Sequence, residues 1–148
     1  MVSTAKALYA FFSSFEIPAF TENTVPEDQA LPYITYSLSE PEWNQKANLY
    51  AQVWYRTKSN AIVNDKADEI TSAIGTGLIL PCDGGYLVIW PETPLTQILV
   101  DGDVRRAYIN LSIHAKKYKN GPAVEINIPV KEAKAAPAAP LLSRPTSK

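Results

Sequence analysis

A single cysteine, Cys82, and a single histidine, His114, set the first limits on what this chain can do. One cysteine excludes an intrachain disulfide and any multi-cysteine metal site, and it is compatible with a reducing compartment. One histidine and no G-x-S-x-G pattern leave a nucleophile–base–acid triad nothing to assemble from. An excess of positive charge is also missing: 14 Lys and Arg stand against 15 Asp and Glu, giving a net charge of −1 and an isoelectric point near 5.8. Dedicated nucleic-acid binders carry a basic excess or a basic face. No apolar run approaches the roughly 20 residues that span a bilayer. Met1 to Phe20 holds one lysine and lacks the basic start and small-residue cleavage site of a signal peptide. These absences lead us to expect a non-enzymatic protein that needs no cofactor or metal and is assembled inside a cell. There is no internal repeat.

What is present is a chain of 148 residues, 46% hydrophobic and 20% charged, enough for one domain with a real core. Leu8, Phe11, Phe12 and Phe15 recur at helical spacing, with Ser3 or Thr4 as cap and Pro18 as stop. Thr21 to Ala30 is polar and reads as a loop. Tyr33 to Leu38 is rich in β-branched and aromatic residues and reads as a strand. Across a connection at Ser39–Gln45 lies a second strand, Asn48–Arg56. It carries Leu49, Ala51, Val53 and Tyr55 on one face and Tyr50, Gln52, Trp54 and Arg56 on the other. The two strands are expected to pair as an antiparallel hairpin.

Ser59 caps a second helix whose stripe is Val63, Ala67, Ile70 and Ile74, with Gly75 and Gly77 as the stop. Leu78–Leu80 and Tyr86–Trp90 are short strands around Pro81-Cys-Asp-Gly-Gly85, where Asp-Gly signals a hairpin. Pro91 to Asp103 reads as a long, turn-rich connection, and Val104 to Ala115 as the last core strand. Gly121-Pro122 breaks the chain, and Val124–Val130 reads as one more extended segment. Lys131–Lys148, with Pro137, Pro140 and Pro145, reads as an extended or polyproline-like arm. The expected architecture is α+β: a single, mainly antiparallel sheet with two helices packed on it over residues 1–118, and an extended C-terminal arm over 119–148.

The groups that could carry chemistry have plainer readings. His114 falls on the polar side of the last strand. Cys82 follows a proline and precedes Asp83, which pushes a thiol away from reactivity. Asp83-Gly-Gly85 opens a strand, whereas phosphate cradles open helices. Asp101-Gly-Asp103 lacks the other ligand positions of a calcium loop. Arg105-Arg106 is an interface ion pair or a strand-edge gatekeeper. More informative are the aromatic and arginine side chains of the strand faces, because Tyr, Trp and Arg are favoured interface anchors. We take Tyr50, Trp54, Arg56, Arg105 and Arg106 as interface candidates. The sheet face opposite the helices is covered either within the chain or by a neighbouring subunit.

Five segments in register carry a resemblance: Leu31-Pro-Tyr-Ile-Thr-Tyr36, Trp54-Tyr-Arg-Thr-Lys-Ser-Asn60, Lys66-Ala-Asp-Glu-Ile70, Leu80-Pro-Cys-Asp-Gly-Gly85 and Arg105-Arg-Ala-Tyr-Ile-Asn110. Together they resemble the tail terminator (tail completion) proteins of long-tailed bacteriophages. Thr93-Pro-Leu-Thr-Gln97 matches that pattern loosely, and the segment after Gly121 is an addition to it. The resemblance implies a virion protein, a hexameric ring seated on the last ring of the tail tube. Such a ring ends tube growth and presents a surface to the head-side connector. Its partners would be its own copies, the tail tube protein and the connector; DNA would pass through the lumen unread. A head-closure or adaptor protein of the neck, or the collar of a phage-tail-like bacteriocin, is the alternative.

Overall fold

Ser3 starts the first helix, α1 (Thr4–Phe12), by accepting a hydrogen bond from the Lys6 N–H through its hydroxyl at 3.2 Å. The computed structural model describes residues 3–38 and 40–118; the expected segment at Val124–Val130 and the arm from Lys131 to Lys148 lie outside the described residues. After α1 a 3-10 turn, Ser13–Phe15, runs into Glu16 at φ 73°, and this left-handed residue reverses the chain. The helix therefore stops ahead of Pro18, which was the expected breaker.

A strand that the sequence reading did not anticipate follows. β1 (Ala19–Thr21) is only three residues long and pairs in parallel with β2 (Tyr33–Tyr36). β2 turns back antiparallel onto β3 (Lys46–Arg56), as the alternation of both segments implied. α2 (Asn60–Ile74) begins at Ser59, whose hydroxyl accepts the Ala61 N–H, and ends at Gly75, φ 59°. β4 (Leu78–Cys82) then forms a tight hairpin with β5 (Gly85–Asp101) across Asp83-Gly84. β5 returns through Gly102-Asp103 into β6 (Val104–Lys117).

The expected connection at Pro91–Asp103 is corrected by this ladder. β5 is one strand of 17 residues, interrupted by a bulge between Pro91 and Thr96. Pro91 pairs with Leu111 and Thr96 with Ile109, so four residues, 92–95, stand where β6 has the single residue Asn110. Pro91 sits at the edge of that irregularity and Pro94 inside it, the kind of position at which a sheet accepts proline. Beyond it, Thr96 to Asp101 resumes regular pairing.

The six strands form one sheet in the order β1-β2-β3-β6-β5-β4, antiparallel except at β1–β2. The fold is thus α+β, with both helices on the same side of the sheet. Val63, Ala67, Ile70 and Ile74 of α2 bury against the layer that includes Leu49, Val53, Ile109, Leu111 and Ile113. Each large aliphatic side chain taken out of water there contributes about 1.5–3 kcal/mol. α1 adds Leu8 and Phe12, the latter stacked on Tyr36 with centroids 4.6 Å apart. The period-2 pattern of β3 and β6 consequently sends every second side chain to a face that no described helix covers.

Candidate assembly surface

That helix-free face holds most of the candidate residues. Across the β3–β6 ladder, Trp54 stands opposite Arg106, Gln52 opposite Tyr108 and Tyr50 opposite Asn110, and residues directly opposite share a face. Tyr50, Trp54, Arg56 and Arg106 are therefore neighbours on one surface. Arg105 is not. One position along the strand, it lies on the helix side, where its Nη1 donates to Asn60 Oδ1 at 3.0 Å and ties β6 to the start of α2. The gatekeeper reading of Arg105-Arg106 is also corrected: β6 lies between β3 and β5, in the interior of the sheet.

The surface is organised by its own polar bonds. The Trp54 indole Nε1 donates to Thr35 Oγ1 at 2.9 Å, and the Arg106 guanidinium lies over the indole ring, 5.0 Å from its centroid. Arg106 also donates to Gln52 Oε1. Tyr33 packs on the far side of Trp54, and Phe20 of β1 meets Tyr33 edge-on at 6.0 Å. Tyr50 stacks on Tyr108 with centroids 5.3 Å apart and donates its hydroxyl to Glu22. That hydrogen bond, with the carboxylate's charge, raises the Tyr50 pKa above 10.0. The result is an aromatic row in two groups on one face, Phe20–Tyr33–Trp54 running inward from the edge strand and the stacked Tyr50–Tyr108 pair on the central strands. Rigid rings lose little side-chain entropy on contact, which suits them to anchor a protein interface.

Two ion pairs frame the row. Arg56 grips both carboxylate oxygens of Asp103, in the β5–β6 turn, at 2.9 and 3.0 Å, and this holds the Asp103 pKa below its ordinary value. At the other end the β5 bulge delivers Glu92 to the hydroxyl of buried Ser112 and to Lys46, 3.4 Å away. The Ser112 hydrogen bond, then Lys46, lowers the Glu92 pKa. His114 lies beside Trp90, ring centroids 6.1 Å apart, and its Nε2 has no hydrogen-bond partner among the described residues. Cys82 is buried on the opposite face; burial pushes its thiol pKa up, a Thr4 hydrogen bond works against that, and Asp83 adds to the rise. Among the described residues no three His, Cys, Asp or Glu side chains stand close enough to hold a metal ion. No described helix is long and apolar enough to cross a membrane.

Phe20, Tyr33 and Tyr108 belong to this row and were not among the sequence candidates. Tyr108 carried the available signal, since it alternates with the buried residues of β6. Phe20 carried none, because β1 was read as the approach to a loop. No protein-family model matches the chain, and no curated protein does. A solved structure whose name states no activity is similar to it, with a TM-score of 0.56 at 14% identity, covering 78% of this chain and 92% of the other. At that identity the likeness speaks for the fold.

Proposed function

We propose that this chain is a structural subunit that closes into a ring, of the kind that ends a bacteriophage tail tube at its head-proximal end. The observation that carries the reading is the helix-free sheet face, with its pre-ordered rings: Phe20, Tyr33 and Trp54, the last braced by Arg106, and the stacked pair Tyr50 and Tyr108. A surface of this composition fits the buried centre of a protein interface, and the ion pairs of Arg56 and Glu92 fit its polar rim. Head-to-tail contacts between identical copies generate a closed ring when the rotation closes, and six copies is the number the resemblance implies. The chain's own copies, a tube protein and a head-side connector are the proposed partners. No catalytic role and no cofactor enter this reading.

Light scattering on the purified full chain, with negative-stain images of the same fraction, tests it. A particle of hexamer mass with a ring outline is the expected result, either alone or after mixing with purified tail tubes. A monomer that also fails to sediment with tubes overturns the reading.

A further inference from the structure

A second feature lies away from the aromatic row. The connection between β2 and β3 carries Glu40, Pro41, Glu42 and Trp43, which with Thr4 and Ala115 line an open cleft of about 490 Å³. Trp43 is 37% exposed although its position is firmly built. Its backbone bridges to Ala115, the following Asn44 N–H bonds the Ala115 carbonyl, and its ring rests on Gly84 and Gly85, where a Cβ on Gly85 would stand 2.8 Å away. An indole held in place yet open to solvent, with a carboxylate one and three residues before it, is a surface for a proline ring and a cation. Aromatic clefts with acidic flanks recognise proline-containing basic peptides in this way.

The chain itself contains such a peptide. Pro137-Ala-Ala-Pro140 is followed by Arg144, with Pro145 next. Charge is divided accordingly: through Tyr118 there are nine Lys and Arg against 13 Asp and Glu (net −4), and after it five against two (net +3). The exit point is adjacent, because the Tyr118 N–H bonds the Gly84 carbonyl at 3.0 Å, beside the glycine pair on which Trp43 rests. Pro137 is 19 residues further along. The random-coil root-mean-square span for 19 residues is about 24 Å, and closing a loop of that length costs only a logarithmic entropy term.

We propose that the Trp43 cleft is a binding site for a basic, proline-containing peptide, and that its occupant is the Pro137–Arg144 segment of the same chain. Proline rings lie on the indole, and the Arg144 guanidinium pairs with Glu40 and Glu42. The site is separate from the aromatic row and does not depend on the ring reading.

Nitrogen-15 NMR of the full chain tests it through the Trp43 indole N–H, assigned with Trp43→Phe. The triple variant P137A/P140A/R144A changes none of the residues that line the cleft, and its circular dichroism is compared with that of the parent chain. It is expected to shift that resonance, as is Glu42→Arg, and the double variant E42R/R144E is expected to bring it back. An indole resonance unmoved by the triple variant overturns the proposal. A second arm of the test mixes labelled chain with unlabelled Cys82→Ser, Ser147→Cys chain carrying a spin label. Broadening of Trp43 in that mixture assigns the cleft to a second copy and overturns the intramolecular assignment; broadening only when label and isotope share a chain supports it.

Discussion

Lys66 has 12% of its side chain exposed, yet its ammonium contacts Glu69 at 2.7 Å, Glu16 at 4.0 Å and the Phe15 carbonyl at 2.9 Å. Burial works to lower its pKa, but the hydrogen bond and charge of Glu69, with Tyr55 and Glu16, outweigh it and the pKa rises. Its role is to fasten α2 to the turn after α1, which gives a structural reason for the lysine in Lys66-Ala-Asp-Glu-Ile70. Lys66→Met keeps the aliphatic stem and strands the Phe15 carbonyl, so a loss of about 1–2 kcal/mol is expected in urea unfolding. The carboxylates of Asp103 and Glu92 act in acid. Their pKa values are lowered from 3.8 and 4.5, so their contribution is full above those values and fades as pH falls through the lower folded ones. Unfolding midpoints measured from pH 6 to about pH 2 should therefore drop below about pH 4. In Asp103→Asn the drop should be shallower.

At the scale of elements, the two hairpins of the second half show how backbone sets sequence. A Cβ at Gly85 would stand 2.0 Å from the Lys116 carbonyl oxygen, within the core of the ladder, whereas one at Gly77 meets nothing within 4 Å. Gly85→Ala is expected to lose several kcal/mol or to fail to fold, and Gly77→Ala to be neutral or to gain about 0.4–1 kcal/mol. Parallel thermal melts of the two variants separate these outcomes. The Asp83-Gly84 hairpin, the caps at Ser3 and Ser59, and the alternation of β3 and β6 were legible because each is a local signal tied to a side chain. β1 was not: three residues hold no period, and its pairing depends on β2, more than ten residues later. The second half of β5 was hidden by Pro91 and Pro94, which locally mean a turn and here mark a bulge. The site was legible in part for the same reason. Tyr50, Trp54, Arg56 and Arg106 follow from alternation, and the same alternation puts Arg105 on the side of Ala107; what only the fold supplies is its partner, Asn60 at the start of α2.

At the scale of the molecule, among the described residues one face of the sheet is covered by helices and the other is not, so the sheet is a wall with an inside and an outside. Trp54→Ala tests whether the outside is an interface. The variant removes the Thr35 hydrogen bond and the seat of Arg106, which should cost the isolated chain about 1–2 kcal/mol and leave it folded. Loss of the ring at unchanged circular dichroism is the expected outcome under the assembly reading; collapse of the fold would place Trp54 among the core residues instead. The strand order carries a further consequence. Strands β1 to β3 come from the first half of the chain and β4 to β6 from the second, and the halves of the sheet are joined by the β3–β6 ladder, from Lys46–His114 to Arg56–Val104, with the Trp43–Ala115 bridge beside it. α2 belongs to the first half and lies across β3, β6 and β5 of both. The molecule is thus divisible: cut between Thr76 and Gly77, it yields two three-stranded pieces, each with one long unsatisfied edge. Co-expressed as separate polypeptides, those pieces should find each other and zip into a complemented, native-like pair, while each alone should aggregate through the edge it was meant to share.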